Sequence, residues 1–217
     1  GNKVNVDSNG MNIIIQQMQS GNSLTNAIWL DPTKAGEGAI NINSDVNICM
    51  VGGYGGNGIA VQKTDRWGEA SYSADKEAAI TINGDISIKG MDSESWGIGL
   101  NEENVFSRFN NAGILTSVEK SSVTVNGDVD FDVYGNGVTT NAKDSVVTIN
   151  GGGKITVPSG MNYGYYTLAS FLGTINMNTG ANGNVPGSND VQLNGDIFTL
   201  NTGVINLALT TEASHLD

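Results

Sequence analysis

The sequence predicts an all-β chain, a three-sided parallel β-solenoid of about six coils, and three observations carry that prediction. Gly and Asn supply 30 and 28 of the 217 residues, against 3 Pro and 15% charged residues. Such a composition excludes collagen and charge-driven disorder and leaves an ordered chain that turns often. A second observation is a pattern that returns along the whole length: apolar-x-apolar, Asn-Gly-Asp, apolar-x-apolar. The third is a Gly-flanked apolar segment that follows most copies and supplies another side.

The cleanest copy is Ile80-Thr81-Ile82-Asn83-Gly84-Asp85-Ile86-Ser87-Ile88. Others open at Ile40, Val123, Val147 and Val191, and a looser one at Val4 runs through a longer turn to Met11, giving start-to-start spacings of 36, 40, 43, 24 and 44 residues. Each half alternates strictly and is rich in β-branched residues, so each half is a short strand with one apolar and one polar face. Asn-Gly-Asp between two strands suggests a hairpin, but three-residue strands are too short for isolated hairpins. A corner instead makes each copy two sides of a coil, with Ile80, Ile82, Ile86 and Ile88 facing a common interior. The third sides are read at Gly58-Ile59-Ala60-Val61, Gly97-Ile98-Gly99-Leu100, Gly137-Val138 and Tyr163-Gly164-Tyr165.

Stacking at about 4.8 Å per coil predicts a rod roughly 30 Å long, with Ile82 between Ile42 and Val125. It also predicts a ladder of Asn43, Asn83, Asn126, Asn150 and Asn194, and a row of Asp45, Asp85, Asp128 and Asp196. Long excursions, such as 62–79 and 101–122, are expected at one corner, carrying most of the charge; a short amphipathic helix is expected around 104–115. The whole chain, 1–217, reads as a single β-helix domain, and Gly1 in place of an initiator Met suggests a fragment of a longer exported protein.

The formal net charge is −12, from 10 Lys+Arg and 22 Asp+Glu, with the cations scattered. Nucleic acid is an unfavourable partner, because binding it needs a basic face. No apolar run is long enough to span a membrane. Cys49 stands alone, which rules out a disulfide framework, and it is expected to be a small buried hydrophobe.

His215 is the only histidine and lies two residues from the end. A nucleophilic triad therefore lacks its base, and a histidine metal site lacks its ligands. The Asp row could offer oxygens to calcium; Gly151-Gly152-Gly153 lacks the nonapeptide period of calcium-binding rolls, and the fourth coil has Gly152 where the others have Asp. Paired carboxylates on a solenoid could hydrolyse a glycosidic bond, yet the polygalacturonase-like signatures are absent, and the only arginines, Arg66 and Arg108, lie in excursions. The glycine-rich run Gly52 to Gly58 carries no Lys and opens no helix, so it reads as a turn rather than a phosphate loop. No enzyme activity, no cofactor and no metal is expected. Candidate recognition residues are the aromatics Trp29, Trp67, Trp96, Tyr163, Tyr165 and Tyr166. Tyr165 is expected to face inward, and Trp67 and Trp96 are the preferred partner contacts.

The Ile-Thr-Ile-Asn-Gly-Asp-Ile-Ser-Ile repeats, the Gly-Ile partners, the lone Cys and the acidic balance resemble the passenger domain of a bacterial monomeric autotransporter. That resemblance extends over nearly the full chain and implies a right-handed parallel β-helix exported through the outer membrane to the cell surface or the medium. It also implies an N-terminal signal and a C-terminal outer-membrane barrel elsewhere in the full-length protein. A low cysteine count suits a chain that crosses an oxidising periplasm unfolded. The expected role is non-catalytic adhesion, aggregation or surface binding, with a surface protein or glycan of host or neighbouring bacteria as partner. The competing readings are a carbohydrate-active β-helix enzyme, a polysaccharide lyase or hydrolase, and a purely structural stalk.

Overall fold

A computed structural model of the chain describes residues 2–16, 25–32, 38–51, 56–62, 77–91, 112–133, 135–157, 165–178 and 191–208. Every secondary-structure element among them is a strand, and the nineteen strands form three parallel sheets. The first sheet stacks β1 (Asn2–Asp7), β4 (Gly38–Asn43), β7 (Ala78–Ile82), β10 (Ser121–Val125), β13 (Val146–Ile149), β16 (Thr174–Met177) and β19 (Val204–Leu207). The second stacks β2 (Met11–Gln16), β5 (Val46–Val51), β8 (Ile86–Met91), β11 (Val129–Asp132), β14 (Gly153–Thr156) and β17 (Val191–Asn194). The third stacks β3 (Thr25–Leu30), β6 (Gly56–Val61), β9 (Ala112–Thr116), β12 (Asn136–Thr140), β15 (Tyr166–Ser170) and β18 (Asp196–Thr199). The chain visits the sheets in strict rotation, so the described residues form a three-sided solenoid of six complete coils and the first side of a seventh.

Register follows the repeat. Ile82 pairs with Ile42 on one side and Val125 on the other, and Ile88 lies between Ile48 and Phe131. These inward rows, joined by Ile59, Ile114, Val138 and Leu168 from the third sheet, form one continuous buried core. Burial fades at the ends, where Val4 on β1 is 51% exposed and Val204 on β19 is 44% exposed. Each coil buries its apolar face only because a neighbour covers it, as nearest-neighbour stability in a solenoid requires.

Three details depart from the sequence reading. The Val191 segment is not the first side of a coil: it is β17, and Gly195 alone, with φ +135°, turns it into β18 on the third sheet. The sixth coil begins instead at β16, whose Ile175 and Met177 pair with Val147 and Ile149. The third side of the third coil is β9, which overlaps the segment expected to be helical; Gly97 to Leu100 and the rest of that segment, 104–111, lie outside the described residues. Finally, long connections are not confined to one corner. They join third to first side at 62–77, second to third at 92–111 and first to second at 178–190.

The third sheet also differs in burial. β7 and β10 alternate between buried and half-buried positions, whereas β9 is buried throughout and β6, β12 and β15 at all but their first residue. Ala60, Leu115 and Ala169, out of step with the inward Ile59, Ile114 and Leu168, are themselves covered. At the turn from third to first side a buried hydroxyl cluster replaces the apolar filling. Thr140 Oγ1 and Ser170 Oγ share a 2.9 Å hydrogen bond, and Thr116 donates to Ser145 Oγ at 3.3 Å. Ser145 and Ser170 in turn donate to the Ala142 and Gly173 carbonyls. Satisfying these hydroxyls is what makes their burial tolerable.

Candidate functional site

The Asn-Gly-Asp corner concentrates the polar groups of the repeat. Asn83 Nδ2 donates to Asn43 Oδ1 at 2.6 Å, Asn126 to Asn83 at 2.7 Å, and Asn150 to Asn126 at 2.7 Å. Above them Asn178, not Asn194, continues the row with a 3.2 Å bond to Asn150, because the sixth coil starts at β16. Asn194 sits at a different corner and bonds Thr156 Oγ1 at 3.0 Å. Every bond has one polarity: the carboxamide N–H of each coil is given to the oxygen of the coil before it. At the N-terminal end Asn43 donates to Asp7 Oδ1 at 2.6 Å, and a carboxylate, having no donor, ends the row there.

The Asp row is built the same way. Asp45 Oδ1 accepts the Asp85 backbone N–H at 3.0 Å, Asp85 Oδ1 accepts that of Asp128 at 2.8 Å, and Asp128 Oδ1 accepts that of Gly152 at 2.8 Å. The fourth member was expected at Asp196, which lies on β18 at the second-to-third corner, away from the row. Each stacked carboxylate thus bonds a backbone N–H of the next coil, which offsets like-charge repulsion of about 1 kcal/mol per solvated pair.

Beside this row the outer face of the second sheet forms an open cleft of about 410 Å³, lined by Asp45, Asp85, Asp128, Asp130, Asn47 and Ser87 among others. Asp130 is bridged by Lys89 at 2.8 Å and approached by Lys154 at 3.7 Å. The hydrogen bond from Lys89 outweighs the opposing effect of partial burial and holds the Asp130 carboxyl below the usual carboxylate range. A depressed pKa contributes stability above the unfolded value, and that contribution is lost as pH falls through the folded value. Both partners are well exposed, so Asp130→Asn is expected to cost at most about 0.5 kcal/mol at neutral pH and nothing once the carboxyl is protonated. Urea midpoints at neutral and acid pH measure this. Among the described residues, no group of three or more His, Cys, Asp or Glu is placed to hold a metal ion.

The ladder yields a larger effect. Asn126→Asp removes the donor to Asn83 and sets a carboxylate against its oxygen, for an expected loss of about 2 kcal/mol at neutral pH. The loss should shrink in acid, where a protonated carboxyl regains a donor; urea midpoints of variant and parent across pH measure it, and equal midpoints at neutral pH would show the ladder to be energetically silent.

Of the aromatic candidates, Trp67, Trp96 and Tyr163 lie outside the described residues, as do His215, Arg66 and Arg108. Trp29 is 43% exposed on β3 while its indole N–H donates to the Gln62 carbonyl at 2.8 Å, so one edge is anchored and a face is open. Tyr165 is buried, as expected, but it precedes the third side of its coil, which is β15 and begins at Tyr166. Tyr166 stacks on Phe198 with ring centroids 4.6 Å apart, and Phe171 tilts against Phe198 at 5.6 Å. This half-buried aromatic cluster on coils five and six is not legible in the sequence, because the copy opening at Val191 puts Phe198 on a second side, whereas β18 lies in the third sheet. Cys49 is half-buried rather than buried: alternation turns Ile48 inward and leaves Cys49 in the outward row between Ile14 and Lys89.

Among the described residues no helix is long and apolar enough to cross a membrane. The chain matches no family model, no curated protein and no solved structure.

Proposed function

We propose that this chain is a non-catalytic binding module, a passenger of the autotransporter kind that is exported to a bacterial surface or secreted and acts in adhesion, aggregation or attachment to host or bacterial surfaces. One observation supports this reading above the others: the polar groups that dominate the repeat, the Asn ladder and the Asp row, are bonded coil to coil. They serve the rod itself and leave recognition to outward rows and connections. Stacked repeats characteristically present extended surfaces to partners, and loops over a rigid scaffold carry function. The aromatic cluster of Tyr166, Phe171 and Phe198, the open face of Trp29, and Trp67 and Trp96 are the side chains suited to stacking on sugars or anchoring a protein.

The test is a glycan and matrix-protein array probed with the purified chain. A specific hit that is lost in Trp67→Ala/Trp96→Ala or in Tyr166→Ala/Phe198→Ala, with the urea midpoint preserved, is the expected result. An array without any hit would favour a structural stalk, and turnover of an acidic polysaccharide would favour an enzyme; either overturns the proposal.

A further inference from the structure

The sequence holds eight Asn-Gly dipeptides, and the fold treats them unequally. In this dipeptide the glycine nitrogen can reach the Asn side-chain carbon unobstructed, since glycine has no Cβ, and Asn is among the thermolabile residues. Closure requires that the carboxamide leave its partners and that the intervening backbone rotate.

Five pairs are held against both movements. Asn83, Asn126 and Asn150 each donate to the coil before and accept from the coil after, at 2.6 to 3.2 Å. Their glycines, Gly84, Gly127 and Gly151, lie so close to the preceding corner that even a Cβ would strike its backbone. Asn57 is fully buried, bonded to Asn26 at 2.7 Å and to the Ala112 N–H at 2.9 Å, and Asn136 accepts the Tyr166 N–H at 2.9 Å. Gly58 and Gly137 are packed against the next strand's carbonyl.

Asn9-Gly10, in the loose turn between β1 and β2, is the opposite case. Both residues are exposed, Gly10 has φ +148°, and among the described residues nothing beyond its chain neighbours lies within 4 Å of where a Cβ would sit. Its N–H has, among the described residues, only a long 3.3 Å bond to Ser8 Oγ.

We propose that Asn9 is a site of spontaneous covalent modification in the folded protein, and that coil stacking shields the five packed Asn-Gly pairs from the same reaction. The Gly10 nitrogen attacks Asn9 Cγ, the new N–Cγ bond closes a succinimide, and the side-chain nitrogen leaves as ammonia with the Gly10 amide proton. Water then adds to either ring carbonyl, opening it to an aspartyl or an isoaspartyl residue at position 9. The product gains a negative charge and, in the iso form, an extra backbone methylene in a turn with room to take it.

The experiment follows peptide masses through time at mildly alkaline pH, with the intact chain in native buffer and in denaturant. The Asn9 peptide is expected to convert at nearly the same rate in both. Peptides carrying Asn57, Asn83, Asn126, Asn136 and Asn150 should convert at least about a hundredfold more slowly in native buffer, because reaction there requires local opening. Asn9→Gln should abolish conversion of its peptide without moving the urea midpoint. Conversion of Asn9 as slow as that of Asn126 in native buffer, or of the stacked pairs as fast as Asn9, would overturn the proposal.

Discussion

Replacing Gly127 by Ala is expected to destabilise the protein by about 3 kcal/mol, the upper range for forcing atoms into a packed site. The cause is proximity rather than backbone conformation. Glycine is commonly chosen at turns for its access to positive φ, yet Gly84, Gly127 and Gly151 do not have it. What forbids a side chain is the coil beneath: a methyl on Gly127 would meet the Gly84 carbonyl and the Asp85 carboxylate. Relief requires the coils to part, which stretches the Asn126–Asn83 bond and the Asp128 N–H bond to Asp85 on either side. Ser44 stands in the same column without penalty because the turn below it, at Ser8 to Gly10, is longer and its hydroxyl bonds Ser8 at 2.9 Å. Ser44→Gly should therefore shift the urea midpoint by less than about 1 kcal/mol equivalent, whereas an equal loss from both substitutions would refute the stacking explanation.

Phe131→Ala should cost about 4 kcal/mol, as for other fully buried phenylalanines. Phe131 is the largest completely buried side chain among the described residues and occupies the inward row between Ile88 and Ile155. Its ring packs onto the third sheet where Gly113 leaves space, within 3.1 Å of where a Cβ would sit. The same device recurs, Ile88 against Gly58 and Ile155 against Gly137, so large residues of one coil rest on glycines of the coil before it. Collapse around the missing ring is limited because both neighbouring coils are fixed by their own hydrogen bonds. Asp132→Ala, exposed on the same strand, is the control and should change stability by no more than about 0.5 kcal/mol. Equilibrium unfolding of the pair checks the contrast.

The first two sides of five coils were legible because their outer faces are wet. A period of two exists only where one face is buried and the other solvated, as at Ile80-Thr81-Ile82. The third sides of coils two to five carry no such alternation, since both faces of their sheet are covered there; Gly113-Ile114-Leu115 therefore looked no more strand-like than Gly97-Ile98-Gly99-Leu100. The Val191 segment misled for another reason. Asn194-Gly195-Asp196 copies the corner's letters, but Gly195 takes a positive φ that Gly84, Gly127 and Gly151, in the same place after Asn, do not. Meanwhile Thr174-Ile175-Asn176-Met177-Asn178 is a real first side without the Gly-Asp that marks the clearest corners at Gly84 and Gly127. The ladder and the Asp row were readable as stacks, but not the direction of their bonds, which depends on where each amide points. Phe171 and Phe198 become neighbours of Tyr166 only once the register of coils five and six is known.

The central claim is that the repeats stack as coils rather than close as hairpins, and a pair of engineered cysteines separates the two. Thr81 and Thr124 are register partners on β7 and β10, 43 residues apart in sequence, and adjacent strands bring such positions to about 4.8 Å, within reach of a disulfide. In a Cys49→Ser background, Thr81→Cys/Thr124→Cys should oxidise to an intramolecular disulfide in the native state, and Thr81→Cys/Ser87→Cys, spanning one Asn-Gly-Asp corner, should remain reduced. A disulfide across the corner, with none between Thr81→Cys and Thr124→Cys, would contradict the solenoid.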